Sequence, residues 1–91
     1  MSSPLHITAA SGQLDAVKII LADNTVNIDV EDKYGNTPFM LACHGGHIEI
    51  AKQLYSHGAN SNKQNNLGYT ALMLVCGANP YEEKKMKNKK N

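Results

Sequence analysis

The chain resembles itself at a spacing of about one third of its length, and no other property limits its fold so strongly. A shift of 33 residues lays Gly35-Asn36-Thr37-Pro38-Phe39-Met40-Leu41-Ala42-Cys43 over Gly68-Tyr69-Thr70-Ala71-Leu72-Met73-Leu74-Val75-Cys76, with five of nine positions identical. A shift of 34 lays Ser3-Pro4-Leu5-His6-Ile7 over Thr37-Pro38-Phe39-Met40-Leu41 and Gly12 over Gly46. It also lays Leu14, Val17, Ile20 and Leu21 over Ile48, Ala51, Leu54 and Tyr55. Periods of roughly 20 to 50 residues mark arrays in which each unit buries its apolar face only against its neighbours. This chain holds two and a half copies of such a unit.

Local chemistry predicts the content of each copy. Ser3, Thr37 and Thr70 are helix N-caps, because a hydroxyl accepts from the orphan amides of a first turn. Pro4 and Pro38 follow at the first helical position, where no amide is needed. The helix runs about two turns, since Gly12 and the pair Gly45-Gly46 supply the left-handed or extended backbone that ends it. A second helix follows, with Leu14, Val17, Ile20, Leu21 and their counterparts as its apolar stripe and Asp15 or Glu49 in its first turn. Gly58 closes it. The Asn-rich run 58–66 and the matching 24–34 stretch read as an extended excursion with a turn at its tip, where Asp32 and Asn65 can bond their own backbone.

Composition limits the rest. Ninety-one residues, 42% apolar and without tryptophan, make one small domain with a modest core. No apolar run approaches the ~20 residues that span a bilayer, and Met1-Ser2-Ser3-Pro4 lacks the features of a secretory signal. Two cysteines and no Asn-x-Ser/Thr sequon argue against export, so the expectation is an intracellular chain, cytoplasmic, with nuclear residence left open. Residues 1–79 carry four lysines against six acids, net −2, whereas 80–91 carry five lysines against two acids, net +3. With Met86 as its only aliphatic residue, the lysine-rich tail is expected to be disordered. Arginine is absent, which removes the usual bidentate ligand of phosphates and guanine edges and argues against specific nucleic-acid binding.

Gly35-Asn36-Thr37-Pro38-Phe39-Met40-Leu41-Ala42, Gly46-His47-Ile48-Glu49-Ile50-Ala51 and Leu54-Tyr55-Ser56-His57-Gly58-Ala59-Asn60 together resemble the ankyrin repeat. Its pattern is Gly-x-Thr-Pro-Leu-His-x-Ala, then Gly-His-Leu-Glu and a closing Leu-Leu-x-x-Gly-Ala-Asp. Ser3 to Asp15 follows the same pattern, and the resemblance covers about residues 3–78. It implies an α-solenoid of ankyrin type, stacked helix-turn-helix units joined by β-hairpin loops, within a domain of residues 1–79. The copies fall at about 3–34, 35–67 and, as a partial third, 68–79. The departures have consequences. Met40 and Met73 replace the histidine that His6 keeps, which forfeits its bond to a neighbouring loop. One extra residue near Asp23-Asn24-Thr25 makes the first closing turn irregular. Glu83, Lys84 and Lys87 stand where Ile50, Ala51 and Leu54 are buried, so the third copy is a half repeat, below the usual minimum of three. Self-association through exposed repeat ends, or membership of a longer array, would relieve that exposure.

Residues of chemical interest have plainer readings. Cys43-His44-Gly45-Gly46-His47, with Cys76 and His57, is the one cluster of thiol and imidazole types. The repeat places Cys43 and Cys76 on adjacent helices roughly 8 to 10 Å apart, too far for a disulfide or a shared zinc. Both read as small buried hydrophobes. Asp29-Val30-Glu31-Asp32-Lys33-Tyr34-Gly35 only faintly suggests a calcium loop, because lysine and tyrosine stand where oxygen ligands are needed. Phosphate-loop glycines are missing. Met40, Met73, Phe39 and Leu72 read as core filling. No cofactor, metal site or reaction centre is expected, and the chain reads as non-catalytic. Tyr34 and Tyr69 sit at turn tips, where aromatics favour protein contacts. The resemblance implies a partner protein gripped by Lys33, Tyr34, Asn36, Asn66, Leu67 and Tyr69 at the hairpin tips, with Ala10, Ser11, His44 and Gly45 at the exposed ends of the first helices. It also suggests Asn62 as an asparaginyl hydroxylation position. The competing expectation is an electrostatic tether to anionic lipid or nucleic acid through the tail.

Overall fold

The computed structural model of the chain describes residues 3–76, with side chains described as far as Met73. The lysine-rich tail and its predicted disorder lie outside the described residues, as does the side chain of Cys76. Five helices follow one another: α1 (Pro4–Ala10), α2 (Leu14–Leu21), α3 (Pro38–His44), α4 (Ile48–Ser56) and α5 (Ala71–Cys76). α1, α3 and α5 stack as one layer and α2 and α4 as a second, with α1 on α2 and α3 on α4 within each copy.

The caps explain where the first-layer helices begin. Ser3 Oγ accepts from the His6 amide, and Thr37 Oγ1 accepts from the Met40 amide at 3.3 Å. Thr70 Oγ1 repeats this on the Met73 amide. Each first helix stops after two turns, at Gly12 (φ +77°) and Gly46 (φ +76°). Gly45 keeps right-handed backbone at φ −81°, so the left-handed step belongs to Gly46 alone. The second helices have no side-chain N-cap, and Asp15 and Glu49 in their first turns face the positive dipole end instead.

The core is one cluster centred on Leu5, Ala9, Val17, Met40, Ala42 and Leu54. Complete burial of a Leu side chain contributes roughly 1.5–3 kcal/mol, so these contacts hold the stack. The stripe expected in α4 is shifted. Ile50, Ala51 and Leu54 are buried, whereas Ile48 and Tyr55 are exposed. Those two lie roughly 100° round the helix from the buried row. Their counterparts on α2, Leu14 and Leu21, gain cover from α4, and among the described residues no helix gives α4 the same cover. Leu72 corrects the core-filling expectation for the same reason, being 72% exposed, whereas Phe39 in its register packs against the core and tilts its ring 6.4 Å from that of Tyr55. Met40 is buried as expected.

The connections are turns. No strand occurs among the described residues, and the loops joining the helix-turn-helix units are closed by main-chain bonds such as Asp32 to Asn36 and Asn65 to Tyr69. In the first closing turn Asp23 Oδ1 accepts from the amide and hydroxyl of Thr25, closing without the left-handed glycine that Gly58 (φ +97°) supplies in the second.

Candidate functional site

Each tip is built by one side chain folded back on its own loop. Asp32 Oδ1 accepts from the amides of Tyr34 and Asn36, both at 2.9 Å, and Asn65 Oδ1 accepts from those of Leu67 and Tyr69 at 2.9 and 3.0 Å. Main-chain bonds from Asp32 to Asn36 and from Asn65 to Tyr69 close the loops, with Gly35 and Gly68 at positive φ. Asp32 and Asn65 thus make the same turn 33 residues apart.

The two tips are also tied to each other. The Asn66 amide donates to the Tyr34 carbonyl at 2.9 Å, and Asn66 Nδ2 donates to the Lys33 carbonyl at 3.1 Å. Asn65 Nδ2 reaches Asn36 Oδ1 at 3.0 Å. Further down the loops the Asn60 amide bonds Asp29, and Lys63 pairs with Glu31. This pairing holds the Lys63 ammonium above its ordinary pKa. Both side chains are substantially solvated, so the pair contributes more to register than to stability. His6, fully buried, donates from Nε2 to the Asn36 carbonyl at 2.7 Å while Nδ1 accepts from the Ser3 amide and hydroxyl. That arrangement requires the tautomer with its proton on Nε2.

The expected partner-binding residues divide accordingly. Lys33, Tyr34 and Leu67 are exposed at linked tips, with Tyr34 at 59%, Leu67 at 77% and the Lys33 ammonium 5.1 Å from the Tyr34 ring centroid. Asn36 and Asn66 spend their polar groups on the links between loops. Tyr69 is half-buried, and its position in register is that of Asn36; the counterpart of Tyr34 is Leu67. The exposed apolar pair is therefore Tyr34 with Leu67. Ala10, Ser11, His44 and Gly45 are exposed at the ends of α1 and α3, although the Ala10 carbonyl already faces His47 Nε2 at 3.1 Å and Ser11 Oγ donates to the Ile7 carbonyl.

Two contributors escape a reading by residue type. His47 bridges α1 and α4 and packs over Gly12, where an added Cβ would meet its ring at 2.7 Å. Ile7 is 58% exposed on α1. The sequence shows the period but not which side of a short helix its neighbours leave open.

Chemistry of other kinds has little to work with. Cys43 is buried, and desolvation pushes its thiol pKa up, away from the reactive thiolate. Among the described residues no three His, Cys, Asp or Glu side chains gather where they could hold a metal ion, and no helix is long and apolar enough to cross a membrane. Asn62 is exposed, its amide bonded to Asn60 Oδ1.

Comparison with known proteins agrees with this architecture. A family model described as ankyrin repeats in three copies matches residues 3–83. Inversin of Mus musculus is 36% identical over 86 residues, covering 94% of this chain and 8% of inversin. A probable E3 ubiquitin-protein ligase of Oryza sativa subsp. japonica, XBOS33, is 37% identical over 77 residues, 84% of this chain and 15% of the ligase. The crystal structure of the human ASB11 ankyrin repeat domain superposes with a TM-score of 0.78 at 37% identity, over 82% of this chain and 34% of that one. The chain thus spans a small part of the length of these relatives, and what their names say of ligation belongs to them. With the period, the capped two-turn helices and these matches in agreement, the chain belongs to the ankyrin-repeat family.

Proposed function

We propose that the chain is a non-catalytic binding module that holds a partner protein against its linked tips and the exposed ends of its first helices. Ankyrin repeats are in general protein–protein interaction modules. The observation that carries the finer reading is the exposure of Tyr34 and Leu67 at one register position on consecutive loops that are hydrogen-bonded to each other. Apolar side chains on a preorganised backbone lose little freedom on binding, so more of their burial appears as affinity. Lys33 and the exposed ends of α1 and α3 supply the polar rim.

The test is an affinity capture followed by a quantitative binding measurement on the captured protein. The double variant Tyr34→Ala/Leu67→Ala is expected to weaken binding at least tenfold, the scale of roughly 1.4 kcal/mol from two truncated anchors. Its helical circular dichroism stays unchanged, because neither side chain is in the core. Unchanged affinity in the double variant removes the site. Binding that persists there, falls steeply with salt and disappears on deletion of 80–91 assigns the activity to the lysine-rich tail instead.

A further inference from the structure

The two tips share a backbone but differ in charge. In the first loop Asp32 and Lys33 precede Tyr34, whereas Asn65 and Asn66, both neutral, hold the same positions before Leu67. Asn66 spends its donors on the first loop, bonding the carbonyls of Tyr34 and Lys33, so the second tip displays an apolar side chain and no charge. Lys33 stays exposed, with its ammonium 5.1 Å from the centroid of the Tyr34 ring, within the range of a cation–π contact. The ring keeps that cation beside the apolar pair Tyr34 and Leu67.

The acids of the described residues are occupied elsewhere. Asp32 turns its Oδ1 onto the amides of Tyr34 and Asn36, Glu31 pairs with Lys63, and Asp29 accepts from the Asn60 amide. Asp23 is bonded by Thr25 in the first closing turn, while Asp15 and Glu49 lie in the first turns of α2 and α4. Among the described residues no carboxylate forms an ion pair with Lys33. A protein surface laid over Tyr34 strips water from the neighbouring ammonium, which is costly unless an opposite charge meets it. A carboxylate there offsets the loss and makes a charge-assisted hydrogen bond, whereas a second cation is repelled. With Asn36, Asn65 and Asn66 committed to the links between loops, Lys33 is the main polar group left at the tips to select a ligand.

We propose that the partner segment held at the tips is acidic and apolar, with apolar side chains covering Tyr34 and Leu67 and an Asp or Glu beside them paired with Lys33. This rests on the tip site proposed above and adds the chemistry of its ligand. The probe is a random peptide library displayed on phage and selected against the immobilised full chain, with the Tyr34→Ala/Leu67→Ala chain as the subtracting control. Peptides retained by the parent alone are expected to share an Asp or Glu next to large apolar residues. The best peptide, and its version with that acid changed to the amide, are then measured against the parent, Lys33→Gln and Lys33→Glu. Lys33 is exposed, so these variants are expected to keep the helical circular dichroism of the parent. Either neutralisation alone is expected to raise Kd about fivefold, and the two together little further, as for a coupled pair. Lys33→Glu is expected to bind the amide version more tightly than the acid. Peptides that need Tyr34 and Leu67 but lack the acid, or that are indifferent to Lys33→Glu, overturn the acidic segment and leave the tip site standing. Peptides that bind the Tyr34/Leu67 double variant as well as the parent, or a library with no enriched peptide, overturn both.

Discussion

Replacing His6 with methionine, the residue that stands at its position in the next copy, isolates what one buried hydrogen bond does for the stack. The His6 ring spans two repeats: Nδ1 accepts from the Ser3 amide at 3.2 Å and from its hydroxyl at 2.8 Å, and Nε2 donates to the Asn36 carbonyl at 2.7 Å. A methionine keeps the apolar bulk, since Met40 is buried in the same surroundings and its sulfur takes the Thr37 amide at 3.5 Å. The donor to Asn36 is lost outright. A net hydrogen bond contributes about 0.5–1.5 kcal/mol, and an acceptor left unpaired in a buried site costs about 1–3 kcal/mol. Asn36 is half-buried and water can reach part of the vacated site, so the expected destabilisation is about 1–2 kcal/mol. For a domain of 60–100 residues that lowers Tm by roughly 5–15 °C. Urea unfolding followed by circular dichroism measures it, with the m-value unchanged because the surface exposed on unfolding is the same. Met40→Leu, a volume-conserving change with no bond between repeats to lose, is the control and is expected to cost less than about 1.5 kcal/mol. A His6→Met variant within about 0.5 kcal/mol of the parent refutes the idea that the imidazole ties the repeats together.

Other consequences can be checked separately. Gly12→Ala and Gly46→Ala both force a side chain into left-handed backbone, at about 1 kcal/mol or more, but only the first also strikes the His47 ring. Gly12→Ala should be the more destabilising in urea unfolding, and the gap should close in a His47→Ala background. Burial raises the Cys43 thiol above its ordinary range, so its alkylation near pH 8, followed on its own peptide by mass spectrometry, is expected to be slower than in the unfolded chain; equal rates contradict its burial. The hydroxyl and amide of Thr25 lower the Asp23 carboxyl pKa. A group lowered on folding favours the folded state above its unfolded pKa and loses that contribution as pH falls through the lowered value. Thr25→Ala removes the hydroxyl but keeps the amide, so the Asp23 titration, read by carboxyl NMR shifts, should move part of the way back toward the usual carboxylate range.

Much of the architecture could be read from residue types because it rests on short-range chemistry. Ser3 before Pro4 and Thr37 before Pro38 announce helix starts, Gly12 and Gly46 announce their ends, and Asp32 and Asn65 announce the turns between. The period then assigns partners, since a unit with one apolar side needs a neighbour. What stayed hidden depends on who covers whom. Ile48 and Leu14 share a register position, yet α4 shelters only Leu14. Tyr69 looks like a displayed aromatic beside its glycine, but its place in the turn is that of Asn36, and Leu67 takes the tip. The His47 link to Ala10 joins residues 37 apart in sequence, and only the stack brings them together.

The central claim is that a partner lies along the tips rather than against the second-helix layer. A photo-crosslinking side chain placed in turn at Tyr34, Leu67, Lys18 and Lys52, all exposed, reads this directly. Crosslinks to the partner from positions 34 and 67, with none from 18 and 52 on α2 and α4, are the predicted result. Crosslinks from 18 and 52 alone would contradict it.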